Sequence, residues 1–181
     1  IDPYDMAGNG IDVTIISSQK GLCIAPGLSP IVVSERLYED RVKNNNIKNL
    51  YFDFNQYVKN FTRGQTPFTP AVGVCLEMNK ALHIIEEQCY ENYLARIDNV
   101  AKDFRNRMKE LPISMPTFTL SNAVTPIRFE EPIAKDVFTV LKDKYDIYVN
   151  PTGGKNENYV LRVAHIGDTT IEDNQFLVDT L

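Results

Sequence analysis

Apolar positions recur along the chain in three different rhythms. Residues 11–17, IDVTIIS, are β-branched and mostly apolar, which predicts a buried strand of the kind found in parallel sheets. Gly21, Pro26, Gly27 and Pro30 break up the segment that follows, so it reads as a loop. IVVS at 31–34 predicts a short strand, and Ser34 can cap a turn or two of helix through SERLYEDR. Residues 43–69 are polar, Asn-rich and aromatic with weak periodicity. They predict mostly loop, and a loop of that length in a compact domain is usually functional or disordered.

From 71 to 111 the rhythm is helical. Val74, Met78, Leu82, Ile85 and Cys89 repeat at three and four, and Tyr93, Ile97, Val100, Phe104 and Met108 continue the stripe. Pro70 suits the start of such a helix, and Leu111-Pro112 its end. Some forty helical residues would run ~60 Å at ~1.5 Å each, so a bend near Glu87–Glu91 is expected. A helix this long commonly bridges two domains. The remainder predicts β-α-β-β-α: a strand at 123–129, a helix at 133–145 with Val137, Val140 and Leu141 inward, and a strand at 146–151. A turn through TGGKNEN follows, then a strand at 159–167 that alternates Val160, Arg162, Ala164 against Leu161, Val163, His165. Asp168 or Thr169 caps the last helix, with Glu172 at capping-box spacing from Thr169. Ile171, Leu177, Val178 and Leu181 give that helix its apolar side.

Composition narrows the classes. The chain has 181 residues, 43% hydrophobic and 24% charged, with a net charge of -5. Its 19 Lys and Arg are scattered, so no basic patch predicts nucleic-acid binding. Small anions would have to be held by a few placed cations. No apolar run is long enough to cross a membrane, and no signal peptide is visible. Without a secretory signal, the sequon Asn60-Phe61-Thr62 reads as chance. Cys23, Cys75 and Cys89 are few, odd in number and widely spaced. They predict free buried thiols in a reducing, cytoplasmic setting, and no metal site.

The sharpest chemical feature is Ser17-Ser18-Gln19-Lys20-Gly21. It places an amine just after an apolar strand, at the sheet edge where open α/β folds bind ligands. A partly desolvated lysine there can form a Schiff base. On spacing alone it reads first as a surface lysine closing a strand. Arg162 is the only cation in its apolar strand, and a guanidinium binds a carboxylate through two parallel hydrogen bonds. His83 and His165 read as structural.

Residues 11–36 resemble the cofactor-lysine segment of class V aminotransferases, of the alanine–glyoxylate, serine–pyruvate and serine–glyoxylate kinds. That segment has the form I-D-x-x-x-S-G-S-Q-K-x-L-x-x-P-P-G-L. Asp12, Ser18, Gln19, Lys20, Leu22, Pro26, Gly27 and Leu28 match it. Ser17 stands where Gly is usual, and Ala25 where the first Pro is usual. GQTPFTP at 64–70 resembles a second family segment, and the likeness continues to LRVAHIG at 161–167.

The resemblance implies an α/β fold of pyridoxal-phosphate fold type I. Residues 1–70 would end a large domain with a mostly parallel sheet, 71–111 would be the connecting helix, and 112–181 a small C-terminal α+β domain. Lys20 would hold pyridoxal 5'-phosphate and shuttle a proton, with Gln19 beside the cofactor and Ser18 a weaker phosphate candidate. Thr66 would reach the phosphate across a homodimer interface, and Arg162 would grip the α-carboxylate. Arg63 stands where some relatives carry a Tyr. The implied reaction moves an amino group from alanine or serine to glyoxylate or pyruvate. The family's ring-nitrogen Asp, stacking aromatic and phosphate turn have no counterpart here, so the chain is expected to be a C-terminal fragment, inactive alone. Gln19 rather than His before the lysine argues against a cysteine desulfurase, and Gln rather than Asn against a 2-aminoethylphosphonate aminotransferase. A non-catalytic binding or assembly module is the reading from another class.

Overall fold

The computed structural model describes residues 1–44 and 48–181, which divide into two units, Tyr4–Ile84 and Ile85–Leu181, the latter including Ile1–Pro3. Residues 45–47, part of the predicted 43–69 loop, lie outside the described residues.

In the first unit, β1 (Val13–Ile15) and β2 (Ile31–Val33) form an antiparallel pair, with Thr14 opposite Val32. Backbone bonds extend the ladder from Ser34 N to Asp12 O (2.9 Å) at one end, and to Ile16 N–Pro30 O (2.9 Å) and Ser18 N–Leu28 O (3.2 Å) at the other. The expected parallel, buried strand is therefore corrected among the described residues. The pairing is antiparallel, and Ile15 is 67% exposed. A two-stranded ribbon has too few neighbours to cover an apolar face, and Val13, Ile31 and Val32 are also exposed.

Ser34 ends β2 and caps α1 (Glu35–Leu37) by accepting from Leu37 N at 3.2 Å, and a π-helical turn, Tyr38–Val42, continues it. Asp12 ties the strand to this turn. Its carboxylate accepts from Ser34 Oγ at 2.6 Å and from two nitrogens of Arg36, which hold its pKa below the usual range.

The predicted loop holds a helix, α2 (Phe54–Phe61), capped by Asp53. Phe54, Tyr57, Val58 and Phe61 follow its cap at helical spacing, the signal that the surrounding Asn-rich stretch hides. Pro70 lies two residues ahead of α3 (Val72–Glu87) rather than inside its first turn. Val74, Met78, Ala81 and Ile85 are the partly buried stripe of α3; the predicted Leu82 is exposed.

The expected bend falls at Gln88–Cys89. Cys89 takes a left-handed φ of 63°, and α4 (Tyr90–Arg107) starts afresh after it. Here the stripe holds: Tyr93, Ile97, Val100, Phe104 and Met108 are all buried. A short 3-10 turn, Met108–Glu110, ends the helix before Leu111.

The second unit is the predicted β-α-β-β-α: β3 (Val124–Arg128), α5 (Ala134–Tyr145), β4 (Asn150–Pro151), β5 (Val160–Ala164) and α6 (Ile171–Thr180). The sheet is antiparallel with β5 central, in the order β3-β5-β4. Leu161 and Val163 of β5 turn inward to a core of Phe104, Met108, Ile127, Leu141 and Leu177. Three expectations shift. The 146–151 strand shortens to two residues, because Asp146 closes α5 in a left-handed conformation. Val140 faces out on α5 while Phe138 is partly buried. The cap of α6 is Thr170, whose capping box uses Asp173; Thr169 instead donates to Ile166 O.

The three cysteines are exposed and in no disulfide, which corrects the expectation of burial. Cys23 sits in a left-handed turn, Cys75 on the outside of α3, and Cys89 in the helix break. No helix among the described residues is long and apolar enough to cross a membrane.

Candidate active site

The lysine loop joins β1 to β2. Ser18 closes its neck: its backbone pairs with Leu28 and Ile24, and its wholly buried hydroxyl donates to Ala25 O at 2.8 Å while accepting from Leu28 N at 3.3 Å. Those bonds occupy the hydroxyl, so what Ser18 offers is the shape of the loop. Inside it, Cys23 N donates to Lys20 O at 2.9 Å, and Cys23 adopts a left-handed φ of 53° to do so. The turn leaves the Lys20 side chain exposed, with no hydrogen bond or ion pair among the described residues. Gln19 beside it is exposed too, and its Oε1 lies 3.4 Å from Ser18 Oγ. Thus Ser18, Gln19 and Lys20 share one hydrogen-bonded turn, with two candidate side chains outward and one held within.

Thr66 lies in the same unit, in the turn between α2 and α3. Its hydroxyl donates to Phe68 O at 2.7 Å. It lines a shallow groove with Phe61, Gln65 and Pro67, beside stacked Tyr51 and Phe68 rings. Arg63 is engaged with Asn60 and Gln65.

Arg162 is in the other unit, on the central strand and on the face away from the core. One of its terminal nitrogens donates to Asn150 Oδ1 (2.9 Å) and Pro151 O (3.0 Å) across the β4 pairing. That fixes the plane of the guanidinium and leaves its other N–H groups without a partner among the described residues. A planar fork fixed in this way suits a carboxylate.

Behind β5, His165 is fully buried against Phe104. Thr125 Oγ1 accepts from Arg105 Nε (2.9 Å) and lies 2.8 Å from His165 Nε2. Arg105 can only donate, so the threonine's own proton is available for Nε2. A protonated imidazole would compete with Arg105 for that oxygen. Burial, reinforced by the nearby Arg105 charge, lowers the His165 pKa to about 4. Its Nδ1 has no partner among the described residues. This structural role agrees with the sequence reading, which nevertheless missed Arg105. Only the fold brings Arg105 to Thr125, 20 residues on.

No protein-family model matches the chain. An uncharacterized aminotransferase of Methanocaldococcus jannaschii is 32% identical over 163 residues, 87% of this chain and 42% of that protein. A serine–glyoxylate aminotransferase of Arabidopsis thaliana is 26% identical over 88% of this chain and 41% of its own length. Soluble hydrogenase subunits of Anabaena cylindrica and Synechococcus are similar at 29% and 28% identity. The alanine–glyoxylate aminotransferase structure from Nostoc sp. superimposes with a TM-score of 0.84 at 23% identity, covering 99% of this chain and 48% of that one. The chain is therefore homologous to aminotransferases and has their α/β fold, over less than half the length of these relatives.

Proposed function

We propose that this chain is the lysine-bearing and carboxylate-binding part of a pyridoxal-phosphate-dependent class V aminotransferase, in which Lys20 holds the cofactor. The observation that carries the reading is the lysine turn, whose locked backbone leaves Lys20 exposed and unpaired among the described residues. An aldehyde cofactor requires such an accessible primary amine, so the residues present fit the group. When bound, pyridoxal phosphate supplies the electron sink that lets a substrate α-carbon lose a proton.

The chain's own residues do the rest. Lys20 would take the proton from the substrate α-carbon and deliver it to the cofactor's C4′ carbon. Gln19 would lie beside the cofactor, near its phosphate or phenolic oxygen. Ser18 keeps the turn in shape, which holds the amine where it must act. Thr66, once rotated from Phe68 O, offers a hydroxyl to a phosphate, contributed to the neighbouring subunit of a homodimer. Arg162 binds the α-carboxylate of the amino acid, oriented by Asn150 and Pro151. Among substrates, serine or alanine as donor and glyoxylate or pyruvate as acceptor fit the named relatives best.

The test is an intact mass of the full-length protein carrying this chain, after incubation with pyridoxal phosphate and borohydride reduction. A gain of one reduced phosphopyridoxyl group, absent in Lys20→Ala, is expected, together with amino transfer from serine or alanine. A second reading, a non-catalytic assembly module, is favoured by the likeness to hydrogenase subunits. No mass gain and no transfer would leave that reading standing.

A further inference from the structure

Ala25 is the hub of the lysine loop. Its carbonyl accepts the Ser18 hydroxyl at 2.8 Å, and its N–H donates to Glu77 Oε2 of α3 at 2.9 Å. The two bonds pin one peptide segment from opposite directions, once through the loop's own neck and once through a helix 52 residues further along the chain. A second contact sits beside them. Gly27 adopts a φ of +140°, and a β-carbon placed there would meet Val74 Cγ2 at 3.5 Å. Val74 and Glu77 are three residues apart on α3, hence on one helix face. The loop therefore rests on that face, with glycine permitting the backbone path and Glu77 supplying the polar anchor.

Residue identity gives this bond its meaning. The aminotransferase pattern carries proline where this chain has Ala25. Proline fixes φ and has no N–H to donate. Alanine frees φ but exposes a donor, and Glu77 takes it. A carboxylate accepting from a backbone N–H is a charge-assisted bond, stronger than a neutral one.

We propose that Glu77 is a positioning residue for Lys20: by holding the Ala25 N–H it restrains the lysine loop as a proline ring would. The part about Lys20 rests on the cofactor-lysine reading above; the restraint itself does not. Glu77 meets the loop through the Ala25 N–H, and its action on Lys20 is through that loop.

The experiment uses the full-length protein and four forms: wild type, Glu77→Ala, Ala25→Pro and the double variant, with Glu77→Gln as a milder probe that keeps an acceptor. Amide hydrogen exchange over residues 18–30 reads the loop without reference to chemistry, and the dissociation rate of pyridoxal phosphate from the unreduced protein reads Lys20. Glu77→Ala is expected to speed exchange in the loop roughly 3- to 10-fold, the scale of one lost hydrogen bond to a charged group at a partly exposed site. Cofactor release should quicken by a similar factor, with Glu77→Gln intermediate. In the Ala25→Pro background the same substitution should change neither, since no N–H remains to be held. Unchanged exchange in Glu77→Ala overturns the proposal, and so does an equal effect in the proline background. If Ala25→Pro does not fold, the comparison of Glu77→Ala with Glu77→Gln decides: equal loosening in both refutes an acceptor role. A wild-type protein that takes up no cofactor defeats the functional reading alone, and the exchange arm still judges the restraint.

Discussion

Acid should weaken the Arg162-bearing unit through one residue, His165. Its ring is buried and faces Thr125, which already accepts from Arg105. Arg105 is the cation beside it, and Asp2 and Asp98 act on Arg105 rather than on the imidazole. The folded pKa is lowered to about 4, against 6.5 for a free ring. The sign follows from which state holds the proton. Above pH ~7 both folded and unfolded rings are neutral, so pH has no effect through this group. Below 6.5 the unfolded chain binds a proton that the folded protein refuses, and stability falls. Below about 4 the folded ring is protonated too, and the loss stops growing. At ~1.4 kcal/mol per pH unit the full loss approaches about 3 kcal/mol, a large share of a domain's net stability. Urea unfolding between pH 7.5 and 4 should show this slope, and His165→Gln should flatten it while retaining a partner for Thr125. Proton NMR of the ring supplies the direct check. A His165 midpoint near 6.5, or an unchanged acid slope in His165→Gln, would refute the argument, because either result means the ring is solvated or paired in a way this geometry does not allow.

Four further expectations follow from contacts already described. Phe104→Ala removes the largest wholly buried side chain and should destabilise by about 3–5 kcal/mol in denaturant titration. Ser18→Ala strands the Ala25 carbonyl and the Leu28 N–H; a loss of about 1–3 kcal/mol is expected, visible as faster proteolysis within residues 18–30. Arg162→Lys keeps the charge but loses the fork, so KM for the amino donor should rise roughly 10-fold with little change in thermal stability, one good charged hydrogen bond being worth about that much. Thr170→Ala breaks the capping box of α6 and should cost about 1 kcal/mol, read as a lower Tm, whereas Thr169→Ala should cost less.

How far the fold could be read from the chain depended on how each segment is covered among the described residues. α4 is the clearest case. Every residue assigned to its apolar stripe beyond Cys89 is buried, because the sheet that covers it, β3-β5-β4, follows in the same sequence. The strand through Arg162 came out with the right alternation for the same reason. IDVTIIS is the contrary case. Its composition speaks of burial on both faces, yet Ile15 lies exposed beside a single antiparallel partner. Periodicity reports the environment a strand prefers and says nothing of where its cover comes from. α2 failed differently. Its four apolar positions and its Asp53 cap are present, but an Asn-rich stretch with aromatic residues dilutes the period over any long window.

The candidate site shows a sharper divide. Lys20 and Arg162 are candidates by their resemblance to the aminotransferase pattern, Arg162 also as the one cation of an apolar strand. What holds them was not legible. The resemblance makes Ser18 a weaker phosphate candidate, but its hydroxyl faces inward to Ala25 and Leu28. Asn150 orients Arg162 from 12 residues away, Arg105 reaches Thr125 from 20, and Glu77 reaches Ala25 from 52. Each of these partners is an ordinary polar residue in sequence and acquires a role only when folding sets it against a particular N–H, carbonyl or hydroxyl. The candidate residues proposed to meet the substrate are thus named from the sequence, while the contacts that hold their side chains and loops are visible only in three dimensions. The Ala25–Glu77 pair shows how the two kinds exchange: where the covalent restraint of a proline is missing from the loop itself, a non-covalent one can arrive from a distant helix, and only the fold reveals the substitution.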